Sequence, residues 1–402
     1  MHKLVFLFLL FGQVLAFASD FGQQVQFWEK RMARDPDDWI SPTKLGEVQL
    51  KHARETGDLT ANADAEKNFR LALKINPQHD PAIILLASAC IAQHKFSDAL
   101  LRAEEAVKRK PDDAFAQAVL GDVCLELGKI PRAEEAYKKS LQLTPALATH
   151  SRIAYLFWIK GDVAGALQSY EAALEAGDNG STSPANLAWC HLQKGELHFR
   201  TGDFQKAQAD YAAAAKILPE NYSVLEHLAE LHAAQSQYDE AIALYQKVIA
   251  QTSRPEYMQA LGDVLAFHRK SSEARIWHEK ALAGYLQAAT NGNPHYYHHL
   301  ASFYSDVQTN ALEALKWARK DIEIRQNVFA HDTLAWALYR NGKWNEALEA
   351  AQKALAFGTK DAHVLLHASS IFSQAGKKKE AAGLIRQAIE INPRYNSFHA
   401  HR

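Results

Sequence analysis

An alanine recurs along this chain at near-constant spacing. It stands at Ala65, Ala99, Ala133, Ala166, Ala207, Ala241, Ala274, Ala314, Ala347 and Ala381, with intervals of 34, 34, 33, 41, 34, 33, 40, 33 and 34 residues. A period of this size means an array of similar two-helix units, each burying its apolar face against its neighbours. It overrides the two or three separate domains that 402 residues would otherwise suggest. The net charge of -1 leaves no broad basic field, so no nucleic-acid partner is expected. The one basic run, Lys377-Lys378-Lys379, falls where a helix-helix turn is expected and reads as solvated.

The segment from Asp80 to Asp113 shows one unit. Pro81 opens it, and Ile83, Leu86, Ala87 and Cys90 recur at helical spacing. A polar turn at Gln93-His94-Lys95 precedes a second helix with Ala99, Ala103 and Ala106 on one face, which Pro111 ends. The next unit repeats this with Leu120-Gly121, Cys124, Gly128, Ala133, Tyr137 and Pro145. Gly121 and Ala133 are small where the paired helices cross closely, and Tyr137 fills the space between them. Cys90, Cys124 and Cys190 lie on apolar faces and read as small buried residues.

These units resemble the tetratricopeptide repeat. Leu120-Gly121 with Ala133, Tyr137 and Pro145 carries the likeness, as do Gly202-Asp203-Phe204 with Ala207, Tyr211, Ala214 and Pro219, and Gly342 with Trp344, Ala347 and Ala354. The resemblance covers about residues 39 to 393. It implies an all-α, right-handed superhelical solenoid of antiparallel helix pairs, with about ten repeats. Units 1–4 are expected over 39–178 and units 5–10 over 188–393, on either side of a loop insertion at 179–187.

The spacing breaks in three places. The first unit carries seven extra residues, expected in the turn around Glu55-Thr56-Gly57-Asp58. Seven more precede Ala207, in a stretch from Gly177 to Pro184 of loop composition that is expected to soften the array into two halves. Six precede Ala314 and are expected to lengthen a helix through Ala283-Gly284-Tyr285-Leu286.

The two ends differ. Lys3, the apolar run Leu4 to Phe11 and the small-x-small pattern Ala16-Phe17-Ala18 read as a signal peptide, residues 1–18, cut after Ala18. Export to a periplasmic or extracellular location follows as an expectation, with no transmembrane segment in the mature chain. Residues 19–38 are expected to form an N-terminal capping helix, with Val25, Trp28 and Met32 on one face. The tail, 394–402, holds Tyr395 and Phe398 and is expected to cover the last helix only in part.

In the family that the repeats resemble, the groove is lined mainly by first helices. Carried onto this chain, that face comprises Tyr155 and Trp158; Trp189, Glu196, Phe199 and Arg200; Glu226 and Glu230; Asp263; and Asp332, Trp336, Tyr339 and Arg340. Aromatics with both signs of charge suit an extended peptide or partner segment. Histidine is frequent, with 19 in the chain. His295 and His299, at i and i+4, form a weak candidate metal pair, and His363 and His367 repeat the spacing. There is no glycine-rich phosphate loop, no nucleophile elbow and no paired CxxC, so no enzyme activity and no cofactor are expected. The functional expectation is a non-catalytic scaffold that binds another protein or peptide, in the cell envelope. The alternatives are an exported metal-handling protein using the histidine clusters, and a structural array that self-associates through an end.

Overall fold

The structure, a computed structural model, describes residues 5–178, 180 and 182–400. Among them there is no strand, and no helix is long and apolar enough to cross a membrane. The chain forms two compact units, Met1–Pro111 and Asp112–Arg402.

The first unit holds α1 (Val5–Arg34) and two helix pairs, α2 (Ile40–Thr56) with α3 (Thr60–Ile75), and α4 (Asp80–Ala92) with α5 (Phe96–Arg109). The expected signal peptide falls on residues 1–18. The first four of these, and the side chains of all of them, lie outside the described residues. The helix runs without a break through the expected cleavage point, and the expected capping helix is its C-terminal part. Phe21 stacks on His52 of α2 with ring centroids 3.7 Å apart. The seven extra residues of the first pair mostly lengthen α2, which continues to Thr56, instead of widening the turn. A helix continued this way satisfies its backbone donors internally, which an enlarged loop would not.

The second unit continues the pattern through eight pairs. They are α6 (Ala114–Glu126) with α7 (Ile130–Leu143), α8 (Leu147–Ile159) with α9 (Val163–Gly177), α10 (Pro184–Arg200) with α11 (Phe204–Ile217), and α12 (Tyr222–Ala234) with α13 (Tyr238–Gln251). There follow α14 (Pro255–Phe267) with α15 (Ser271–Thr290), α16 (Tyr297–Ser302) with α17 (Ala311–Ile324), α18 (Val328–Arg340) with α19 (Trp344–Leu355), and α20 (Ala362–Gln374) with α21 (Lys378–Ile391). Alone among the first helices, α16 begins from a 3₁₀ turn, Pro294–Tyr296, and ends in a π turn, Phe303–Val307.

All ten ladder alanines sit on second helices, each between 0% and 4% exposed. At four crossings a first-helix glycine lies on a second-helix ring: Gly46 on Phe69, Gly121 on Tyr137, Gly195 on Tyr211 and Gly262 on His278. This gives a prediction with a competing term. Alanine for glycine inside a helix ordinarily gains about 0.5–1 kcal/mol. At Gly121 the new methyl would overlap the Tyr137 ring, which is buried and whose hydroxyl donates to Asp122 Oδ1 at 2.9 Å. Overpacking of this kind costs about 1–3 kcal/mol. Gly121→Ala is therefore expected to destabilise, by roughly 0.5–2 kcal/mol in urea unfolding.

The stretch from Gly177 to Pro184 does not divide the array. Pro184 opens α10, so residues 184–187 of the expected insertion are helical, and Ser183 caps them by accepting the Asn186 N–H. A core of Leu147, Ala154, Tyr170, Cys190 and Leu197 joins α8, α9 and α10 across it. The division falls at Pro111 instead.

The second unit closes on itself. The Gln326 N–H donates to the Glu126 carbonyl at 2.9 Å, and Asn327 Nδ2 donates to the Glu126 carboxylate at 2.8 Å. Gly161 meets the carbonyl of Gly358. Arg200 reaches Asp361 at 3.0 Å. The tail, expected to lie on the last helix, crosses instead to the middle of the unit. There Phe398, 3% exposed, packs in the core formed by Ala229, Ala233, Leu261 and Leu265. Burying an aromatic ring in apolar company outweighs leaving it on the array's end.

Candidate functional site

Closure of the second unit encloses an inner cavity of about 420 Å³. First helices build it. Tyr155 and Trp158 come from α8, Gln193, Glu196 and Arg200 from α10, and Glu226 and His227 from α12. Opposite them stand Asp332 and Trp336 of α18 and His363 and His367 of α20, with Asp306 from the π turn and Arg325 from the turn before α18. Among the described residues no second-helix side chain lines it, and the small residues of those helices face the pairing crossings. Side chains one turn apart on each first helix therefore point inward together.

The polar groups are paired across the cavity. Arg200 donates to Glu196 at 2.6 Å and to Asp361 at 3.0 Å, and its guanidinium lies 5.3 Å from the centre of the Trp158 ring. Asp361 also caps α20, accepting the N–H groups of His363 and Val364. Burial would push the Asp361 carboxyl up, but Arg200 and His363 hold it below the ordinary range. Trp336 donates to Asp306 at 2.9 Å and stacks flat on His367 with centroids 4.1 Å apart. His367 Nδ1 lies 3.0 Å from an Asp332 carboxylate oxygen. Burial pushes Asp332 up to about 7, with the Asp361 charge adding to the rise and His363 opposing it.

Burial works on the histidines in the opposite sense. It holds His298 well below the ordinary 6.5, helped by the positive Arg325, and it also depresses His363. The unfolded chain protonates these rings below about pH 6.5, while the fold keeps them neutral. Their contribution to stability is complete above that pH and is lost as the pH falls. Asp332 opposes this: its raised folded value favours the fold on acidification and is lost as pH rises through about 7. Burial also depresses His79, His150, His198 and His331 and raises Glu126 and Asp321, so among the described residues six depressed histidines stand against three raised carboxyls and unfolding takes up protons. Unfolding free energy is expected to drop as the pH falls from roughly 6.5 to 5, by about 1.4 kcal/mol per pH unit for each proton taken up. Denaturant titrations at fixed pH values check the slope; a flat or rising curve contradicts it.

Of the first-helix residues singled out in the sequence, the structure brings Tyr155, Trp158, Glu196, Arg200, Glu226, Asp332 and Trp336 to this cavity. Tyr339 and Arg340 lie beside it, against Trp336. Phe199 is core, stacked on Phe204. Glu230 is buried beneath the tail, where its carboxylate lies 2.7 Å from His399 Nδ1. Asp263 pairs with His278 at 2.8 Å, and Trp189 is exposed. His295 and His299 lie outside the cavity, with ring centroids 6.3 Å apart and the buried Glu256 near both. Sequence reasoning missed Asp361, Arg325, His298 and Asp306 as cavity residues. For Asp361 the partner is 161 residues away, and no local pattern marks it. Among the described residues, one group of three metal-ligating side chains converges, and it is Asp332, His363 and His367.

An array of helix pairs with stacked alanine crossings and an inward face of first helices defines an α-helical repeat solenoid. Residues 84–148 and 192–255 match a tetratricopeptide repeat family model, and residues 328–358 match a second model of the same repeat. The chain is a tetratricopeptide repeat protein. It is 24% identical over 261 residues to a TPR repeat-containing protein of Methanocaldococcus jannaschii, covering 64% of this chain and 39% of that one. It is also 24% identical over 320 residues to cellulose synthase operon protein C of Pseudomonas fluorescens, covering 75% of this chain and 24% of that protein. The chain thus matches about two-fifths or less of the length of these relatives. A structure of the human IFIT1 dimer with PPP-AAAA aligns with 92% of this chain and 94% of its own, at 13% identity and a TM-score of 0.48.

Proposed function

We propose that this protein is an exported, non-catalytic scaffold that holds a segment of another protein against the inner faces of its first helices. The observation that carries the reading is that the C-terminal ends of the first helices α10, α12 and α14, with the start of α11, already hold a peptide, the chain's own tail. Phe398 fills an apolar site between α12 and α14 and meets Phe267 edge-on, with centroids 5.3 Å apart. His399 meets Phe199 edge-on at 5.2 Å, and Arg394 lies over Phe204 at 4.9 Å. These are the anchors by which a helical-repeat groove takes an extended segment: rings in apolar sites, with charged groups fixing register. The neighbouring cavity offers Trp158 and Trp336 as further aromatic surfaces, with Arg200 and Asp306 beside them. Export rests on the apolar run and the Ala16-Phe17-Ala18 pattern at the N-terminus.

Display of a random peptide library against the purified protein tests the binding. Enriched peptides are expected to carry an aromatic residue beside charged ones, and to lose binding to Trp158→Ala and Trp336→Ala. Equal binding to both variants and the parent rejects the cavity as the binding face. N-terminal sequencing of the protein recovered from its native cells tests export, with Ser19 expected first.

A further inference from the structure

The geometry points to a binding site for one divalent first-row transition-metal ion at Asp332, His363 and His367, on the wall of the inner cavity. His363 and His367 stand one helical turn apart on α20, with ring centroids 3.9 Å apart. Asp332 faces them from α18, 3.0 Å from His367 Nδ1. One ligand atom from each residue lies within 4.8 Å of the other two. Around a zinc ion with bonds of about 2.0–2.2 Å, tetrahedral ligand atoms stand roughly 3.4 Å apart. Binding the ion would draw the three ligand atoms together from separations of up to 4.8 Å.

The surroundings hold these ligands in place. Trp336 lies parallel to the His367 ring, 8° from coplanar, and is fixed by its own bond to Asp306. Asp361 accepts the His363 N–H and so sets where that residue leaves the helix start. Two imidazoles and a carboxylate suit zinc, cobalt, nickel or copper; magnesium and calcium take sites built from oxygen. A dication also answers the local charge. Asp332 is a buried carboxylate that lies 3.0 Å from a histidine, His367, whereas the nearby Asp361 has Arg200. Three protein ligands leave at least one coordination position, and it opens on the cavity.

The test is titration of the untagged protein with Co²⁺, followed by its visible absorption, and with Zn²⁺ by calorimetry. About one equivalent is expected to bind with micromolar or tighter affinity, and the cobalt spectrum is expected to be that of a four- or five-coordinate ion. His363→Asn with His367→Asn is expected to weaken binding by more than about 100-fold, and Asp332→Asn by at least about tenfold. Asp332→Asn keeps the side chain's shape, so unchanged helical melting in that variant separates loss of the ion from loss of the fold. The site is overturned if the parent protein shows no saturable binding at micromolar affinity. It is equally overturned if Asp332→Asn and the double histidine variant bind as the parent does, or if His295→Asn with His299→Asn abolishes binding instead. Peptide binding is measured separately, so either result stands without the other.

Discussion

Arg200→Met is expected to lower the unfolding free energy by about 3–5 kcal/mol at neutral pH, a large part of the roughly 5–15 kcal/mol that a folded domain has. The arginine is nearly enclosed, its side chain 13% exposed, and Asp361 opposite it is 4% exposed. Its guanidinium satisfies two carboxylates at once, Glu196 at 2.6 Å and Asp361 at 3.0 Å. Methionine keeps much of the volume and the contact with Trp158, so the loss is electrostatic: two carboxylates remain with no opposite charge between them. The expected size rests on that asymmetry, since removing one partner of a buried pair costs far more than the pair itself contributes. Three further results follow from the same cause. The loss should shrink as the pH is lowered, because a protonated Asp361 no longer needs the cation. Arg200→Met with Asp361→Asn should recover part of it, since asparagine still caps α20. Arg200→Lys should lose less, keeping the charge and giving up the fork that reaches both partners. A urea midpoint for Arg200→Met within error of the parent's would show that the pair does not hold the cavity together.

The repeat was readable because it is local. Ala133 and Tyr137 sit four residues apart on one helix, Gly121 twelve residues earlier, and packing demands their sizes whatever the rest of the chain does. The same holds for the small residues of every pair, which is why the ladder marks α3, α5 and each later second helix. The lengths of the irregular helices were read less well. Glu55 and Thr56 look like turn residues, yet α2 runs through both, because tertiary packing overrides weak propensities. Closure of the second unit was not readable at all. Glu126 meets Asn327 and Glu230 meets His399 across 201 and 169 residues, and a nearest-neighbour period carries no term for such contacts. The cavity inherits that limit. Its first-helix aromatics and charges could be placed on the right face from the period. That Arg200 looks at Asp361, or that Asp332 joins His363 and His367, depends on how many repeats make a turn. The i, i+4 spacing marked both histidine pairs equally; only the fold shows that His363 and His367 converge with a carboxylate, Asp332, to within 4.8 Å on the cavity wall.

Gly161→Ala is expected to cost about 2–5 kcal/mol, and the comparison with Gly342→Ala isolates what closure contributes. Both glycines occupy the turn between the first and second helix of a pair, with φ of +79° and +72°. That conformation costs an L-residue about 1–2 kcal/mol. It is tolerable in this fold, since His94, Ser236 and Arg269 adopt it in the corresponding turns of other pairs. A methyl on Gly342 meets nothing within 4 Å, so its cost should stop at the backbone term. A methyl on Gly161 overlaps the carbonyl oxygen of Gly358, which is backbone and cannot swing aside. The two turns must then separate, and the further 1–3 kcal/mol or so is the overpacking cost. Separation there also draws Asp361, three residues beyond Gly358, away from Arg200. Amide exchange in the segment from Gly358 to His367 should therefore quicken in Gly161→Ala and stay unchanged in Gly342→Ala. Equal losses in the two variants, with equal exchange, would mean that contacts between neighbouring pairs alone hold the cavity walls. The meeting of the unit's two ends would then contribute nothing to its stability.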